Sequence, residues 1–126
     1  MAVRVLLVDD QILFRSALSA LLATWEDLEV VGEVGDGETA LQMVQQLRPD
    51  VVVLDMRLPG IDGIETTRQL RQAHPGTAVL MLSGFADEPT RQAAARAGAT
   101  KVLDKGRLGS LLPEIKAAAQ TVAAAG

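Results

Sequence analysis

The 126-residue chain has no cysteine and no tyrosine, a single histidine, one tryptophan and two phenylalanines. Without thiols there can be no disulfide, no thiolate nucleophile and no cysteine-ligated zinc. Aromatic residues make up only 2% of the chain, so its core must be built from Leu, Val, Ile and Ala; the 48% hydrophobic content suffices for one domain. Positive charge is also in deficit. A net charge of -4 and a pI near 4.9 argue against direct binding to nucleic acid or to an acidic membrane by this chain alone. No apolar run approaches membrane-spanning length, and the start, MAVRVLLVDD, lacks the apolar region and cleavage site of a secretory signal. The expectation is a soluble cytoplasmic protein that does not engage a membrane.

What is present centres on VVVLDMRLPG, residues 51–60. Its β-branched run predicts a short buried strand from Val51 to Leu54 that delivers Asp55 at its end, with a turn at Pro59-Gly60. Other strands are expected over Val3–Val8, Leu28–Val34, Ala78–Leu82 and Lys101–Leu103. In the second of these, Leu28, Val30 and Val34 alternate, with Val31 the exception. Helical spacing lies between the strands. Phe14, Leu18, Leu21 and Leu22 form one stripe, Ala40, Leu41, Val44 and Leu47 another, and Leu112, Ile115, Ala119 and Val122 the last. Asp36-Gly37 reads as a turn and cap, Asp62 and Glu65 have capping-box spacing, Asp87-Glu88-Pro89 opens a helix and Gly98 ends it. Residues 1–122 form the expected domain, and 123–126 read as a tail or the start of a linker. Alternating strands and helices predict an α/β fold with a parallel sheet covered on both faces. The matching architecture is a flavodoxin-like (βα)5 three-layer sandwich of five parallel strands in the order 2-1-3-4-5.

In such a sheet all carboxyl ends face one rim, so Asp9, Asp10, Asp55, Ser83 and Lys105 are expected to converge there. Three close carboxylates repel one another unless a cation or protons compensate. With oxygen donors only, Mg²⁺ is the expected cation. A carboxylate can attack phosphorus to form an aspartyl phosphate, with Lys105 supplying a cation and Ser83 a hydroxyl for the developing charge. Two other classes fit less well. A phosphatase of the haloacid-dehalogenase type needs a second acid two residues after the nucleophile, where this chain has Arg57. A flavodoxin-like cofactor domain needs a phosphate loop after the first strand, where this chain has Asp9-Asp10.

The segments VLLVDDQ, VVVLDMRLPGIDG, VLMLSG and GATKVLDKG, in that order, resemble the receiver domain of two-component response regulators. DDQILFRSAL, VVGEVGDGETAL and DMRLPGIDGIE are similar to receivers of the NarL/LuxR type. The resemblance covers essentially the whole chain. It implies that Asp55 is the phosphoacceptor, that Asp9, Asp10, Asp55 and the Met56 backbone carbonyl hold Mg²⁺, that Ser83 is the switch hydroxyl and that Lys105 binds the phosphoryl group. It further implies a sensor histidine kinase as phosphodonor, a signalling switch rather than an enzyme, and homodimerisation on phosphorylation. Contact with DNA would be made only through an output domain absent from these residues. The residues leave one rival open, a receiver-like interaction domain that works without phosphorylation. Two positions depart from the family pattern. Val102 replaces the usual aromatic and is expected only to pack, partly buried, in an edge strand. Gly106 replaces the proline that follows the lysine in many receivers. His74 reads as a solvated turn residue, and Phe14 and Trp25 as core or rim packing. Arg57 and Phe85 each read either as gates for water or as plain loop residues, and Gly84 as a residue that keeps the pocket open.

Overall fold

Strands and helices alternate as the hydrophobic periods predict. The computed structural model describes residues 2–125. The elements run β1 (Val3–Val8), α1 (Ile12–Ala23), β2 (Leu28–Val34), α2 (Gly37–Leu47), β3 (Val51–Asp55), α3 (Gly63–Ala73), β4 (Ala78–Ser83), α4 (Glu88–Ala97), β5 (Lys101–Asp104) and α5 (Leu111–Ala125). All strand pairs are parallel and the order is β2-β1-β3-β4-β5. The order places β3, and so Asp55, between β1 and β4.

Alternate strand residues feed two separate cores. Val5, Leu7, Val53 and Leu80 pack beneath α1 and α5 with Leu18, Leu22, Leu111 and Ile115. Leu6, Val8, Leu54 and Met81 pack against α2, α3 and α4 with Ala40, Val44, Leu70 and Ala94. Each fully buried Leu or Val contributes about 1.5–3 kcal/mol relative to exposure, and β3 and β4 are buried along their whole lengths.

Three helices start on an aspartate. Asp36, Asp62 and Asp87 accept hydrogen bonds from the N–H groups of Thr39, Glu65 and Thr90, at 2.7, 2.8 and 3.0 Å. Only half of the expected capping box forms at α3, because the Glu65 carboxylate turns to Arg68 and Gln69. Gly98 ends α4 with φ of 105°, a left-handed conformation that glycine adopts without strain.

Several details differ from the sequence pattern. Leu21 is 43% exposed, because α1 meets the sheet along Leu18 and Leu22 and Leu21 lies roughly 80° round the helix from that line. On α5 the buried line is Leu111, Ile115, Ala118 and Val122, with Leu112 and Ala119 on its flank. The helix continues through residues 123–125, which the sequence pattern assigns to a tail, and Gly126 lies outside the described residues. Val31 is the extra residue of a β-bulge: Val5 pairs with Val30 and Leu6 with Gly32. Leu28 and Val30 therefore face α1, while Val34 joins the core under α2. None of the described helices is long and apolar enough to cross a membrane.

Candidate functional site

Backbone ladders carry the sheet's order into the loops at its carboxyl edge. Asp9 N–H donates to Val34 O at 3.0 Å, Met56 N–H to Leu82 O at 2.9 Å and Lys105 N–H to Ser83 O at 2.8 Å. The five residues expected at strand ends thus meet at one rim. Asp10, Asp55, Ser83 and Lys105 line a cavity of about 640 Å³, together with Gln11, Met56, Arg57, Gly84, Phe85 and Thr90. A Cβ on Gly84 would meet no other protein atom within 4 Å, so the space beside it is open.

The carboxylates of Asp9, Asp10 and Asp55 each bring an oxygen within 4.8 Å of the other two. Asp9 and Asp55 are buried and Asp10 is exposed. Burial first, and then the Asp9 charge, push the Asp55 carboxyl above the usual carboxylate range; Lys105 pulls the other way. The Lys105 ammonium is the compensating cation. Its Nζ lies 2.7 Å from Asp9 Oδ2 and 3.5 Å from Asp55 Oδ1. It donates a hydrogen bond to Gln11 Oε1 at 2.7 Å and sits 4.3 Å from the centre of the Phe14 ring.

The donor set fits a hard divalent cation. The short Asp9–Lys105 contact is an ion pair without hydrogen-bond alignment, so Asp9 Oδ2 is buried and unsatisfied as an acceptor. Two buried carboxylates, a third at the mouth and no nitrogen or sulfur ligand suit Mg²⁺. The Met56 carbonyl, the expected fourth ligand, accepts the Gly63 N–H at 3.0 Å, which commits one of its two lone pairs, and Met56 lines the cavity.

Ser83 Oγ donates to Phe85 O at 3.0 Å and accepts from Phe85 N–H at 3.1 Å. Its single proton is committed to the β4–α4 loop, so binding another acceptor would require that bond to break. Arg91 of α4 continues the linkage outward. Its Nε donates to Ala86 O at 3.1 Å and its Nη1 to Val102 O at 2.8 Å, joining the same loop to edge strand β5. Val102 is buried, at 4% exposure, rather than partly buried, because β5 is covered by the core under α4.

Some site residues escaped the sequence reading. Gln11 stands in the sequence only where the helical period begins, and nothing there marks it as a site residue. Gly63 touches the end of β3: a Cβ there would lie 2.6 Å from Asp55 O and 2.8 Å from Met56 O. A glycine directly after the Asp62 cap was the available signal. Arg91 left none, since its role depends on where the β4–α4 loop turns. Of the remaining candidates, Arg57 and Phe85 line the cavity, Phe85 with 73% exposure; His74 caps the end of α3. Phe14 and Trp25 pack on the α1 core. No cis peptide occurs among the described residues, including at Gly106.

Residues 5–116 match the response regulator receiver domain family. The chain is 38% identical over 104 residues to the response regulator GacA of Pseudomonas viridiflava, covering 82% of this chain and 49% of that protein. It is 37% identical over 115 residues to the transcriptional regulatory protein DegU of Brevibacillus brevis, covering 91% and 45%. The chain therefore spans about half the length of these curated relatives. The signal receiver domain of the response regulator NarL from Mycobacterium tuberculosis superposes with a TM-score of 0.84 at 32% identity, covering 91% of this chain and 97% of that one.

Proposed function

This chain belongs to the response regulator receiver domain family, and we propose that it is a switch phosphorylated on Asp55 by a sensor histidine kinase. Receiver domains are signalling switches rather than conventional enzymes, bind Mg²⁺ at an acidic pocket and take sensor kinases as partners. The observation that carries the finer reading is the meeting of Asp9, Asp10 and Asp55 around one point, with Lys105 beside them, on a cavity that admits a phosphoryl group.

Asp9, Asp10 and Asp55 would hold Mg²⁺, which when bound neutralises charge on the transferring phosphoryl oxygens. The protein's own part is positional. An Asp55 oxygen forms the new bond to phosphorus as the P–N bond of a donor phosphohistidine breaks, and the leaving imidazole takes up a proton. Lys105 balances the charge left on the phosphoryl oxygens. Ser83 exchanges its bond to Phe85 O for one to a phosphoryl oxygen, which frees the β4–α4 loop. Hydrolysis of the acyl phosphate by water slowly resets the switch. The output surface is the face of α4, β5 and α5, through which phosphorylated copies pair. In a longer protein the switch would act on transcription through an attached DNA-binding domain, as the name of DegU suggests for that relative. A cytoplasmic location goes with this reading.

Intact mass after incubation with acetyl phosphate and Mg²⁺ tests it. One phosphoryl group should add to the wild type and none to Asp55→Asn. Full labelling of the Asn variant would move the acceptor elsewhere.

A further inference from the structure

We propose that Gln11 is a positioning residue for Lys105, holding its ammonium beside the Asp55 carboxylate; the inference rests on Lys105 serving phosphoryl transfer at Asp55. Gln11 occupies the cap position of α1, yet its side chain makes no capping bond. α2, α3 and α4 all use aspartate there. A capping side chain stabilises a helix end, and α1 forgoes that contribution. What the longer amide supplies is reach. Its Oε1 accepts from Lys105 Nζ at 2.7 Å, across 94 residues of sequence. Its backbone N–H meanwhile donates to Asp9 Oδ1 at 2.8 Å. One residue therefore fixes both the first-strand acid and the cation that follows β5, through separate groups.

The other partners of the ammonium do not aim it. The Asp9 contact is short but misaligned, Asp55 is 3.5 Å away and the Phe14 face offers no directional acceptor. A lysine ammonium on a flexible stem swings freely between two carboxylates. The Gln11 oxygen and the Phe14 ring confine it where a phosphoryl group on Asp55 would find it in place, without reorganisation. The Lys105 side chain is only 15% exposed, which limits screening by water.

Gln11→Met keeps the length and removes the acceptor. Because no cap is lost, the urea midpoint should fall by no more than about 0.5 M, the worth of the one hydrogen bond. With acetyl phosphate and Mg²⁺, Asp55 labelling followed by intact mass should be about fivefold slower, as befits one lost hydrogen bond. In the metal-free protein the NMR signal of the Lys105 ε-methylene should shift. Wild-type labelling rates, an unmoved Lys105 signal, or a slowdown accompanied by a fall in the midpoint well beyond about 0.5 M would each overturn the proposal. If the wild type itself were not labelled on Asp55, the phosphoacceptor reading would fail, and the Lys105 signal would still report whether Gln11 holds the ammonium.

Discussion

Val102→Ala separates the two ways in which this position can serve a switch, by its side chain or by its carbonyl. Val102 is 4% exposed and packs in the core under α4. The change removes two carbons, about 0.8 kcal/mol each in transfer free energy, and leaves a small cavity, so the expected cost is about 2 kcal/mol. In a urea melt this lowers the midpoint by about 1 M, for a slope of about 2 kcal/mol/M. The backbone carbonyl survives the substitution, and with it the Arg91 bond that ties β5 to the β4–α4 loop. Coupling between Asp55 and α4 should therefore change by less than about 0.5 kcal/mol, small beside a typical allosteric coupling of roughly 1–3 kcal/mol. The assay compares amide exchange in α4 and β5, and affinity for a second copy, with and without beryllofluoride and Mg²⁺ in both proteins. A folded alanine variant blind to beryllofluoride would refute the reasoning, since the valine side chain would then be the moving part. A stability cost well under 1 kcal/mol would refute the packing half.

Asp55 makes the metal-free protein sensitive to pH. Its folded pKa lies above the unfolded value of about 3.9, so protonation favours the folded state, fully below that value and progressively less as pH rises through the raised folded pKa. Urea melts without Mg²⁺ should show this loss in the wild type and not in Asp55→Asn, which should be the more stable protein at neutral pH; a less stable Asn variant would contradict it. Gly63→Ala should cost about 1–3 kcal/mol by overpacking against the Asp55 and Met56 backbone and should slow acetyl phosphate labelling; an unchanged melting curve would show that α3 can step back at no cost.

How much of this was readable in advance depends on the distance over which each feature is decided. Element order, the three aspartate caps and the strand-end positions of Asp9, Asp55, Ser83 and Lys105 follow from local periods, because a parallel sheet turns sequence position into place. Side-chain reach does not follow in this way. That Lys105 leans to Gln11, that the Met56 carbonyl turns to Gly63 and that Ser83 is spent on Phe85 are decided by loop geometry between segments far apart in sequence. The slip on α5 has the same origin. Its apolar residues span a broad arc, and packing on the sheet buries Leu111 and leaves Leu112 on the flank.

The bulge at Val31 acts as a parity element in the chain. Strand residues alternate between two cores, so a single added residue exchanges the faces of everything beyond it. Gly32 thereby lies against Leu6, Met43 and Leu47, on the α2 side, and Val34 goes beneath α2. Were the bulge ironed out with Val31 kept, Val31 would pair with Leu6, the last residues of β2 would trade faces, and exposed Glu33 would be driven toward the apolar layer. The N–H of Asp9 is bonded to Val34 O, so the error would reach the acid cluster through that one bond. Deleting Val31 itself, by contrast, would leave every other side chain of this edge strand on the face it now occupies.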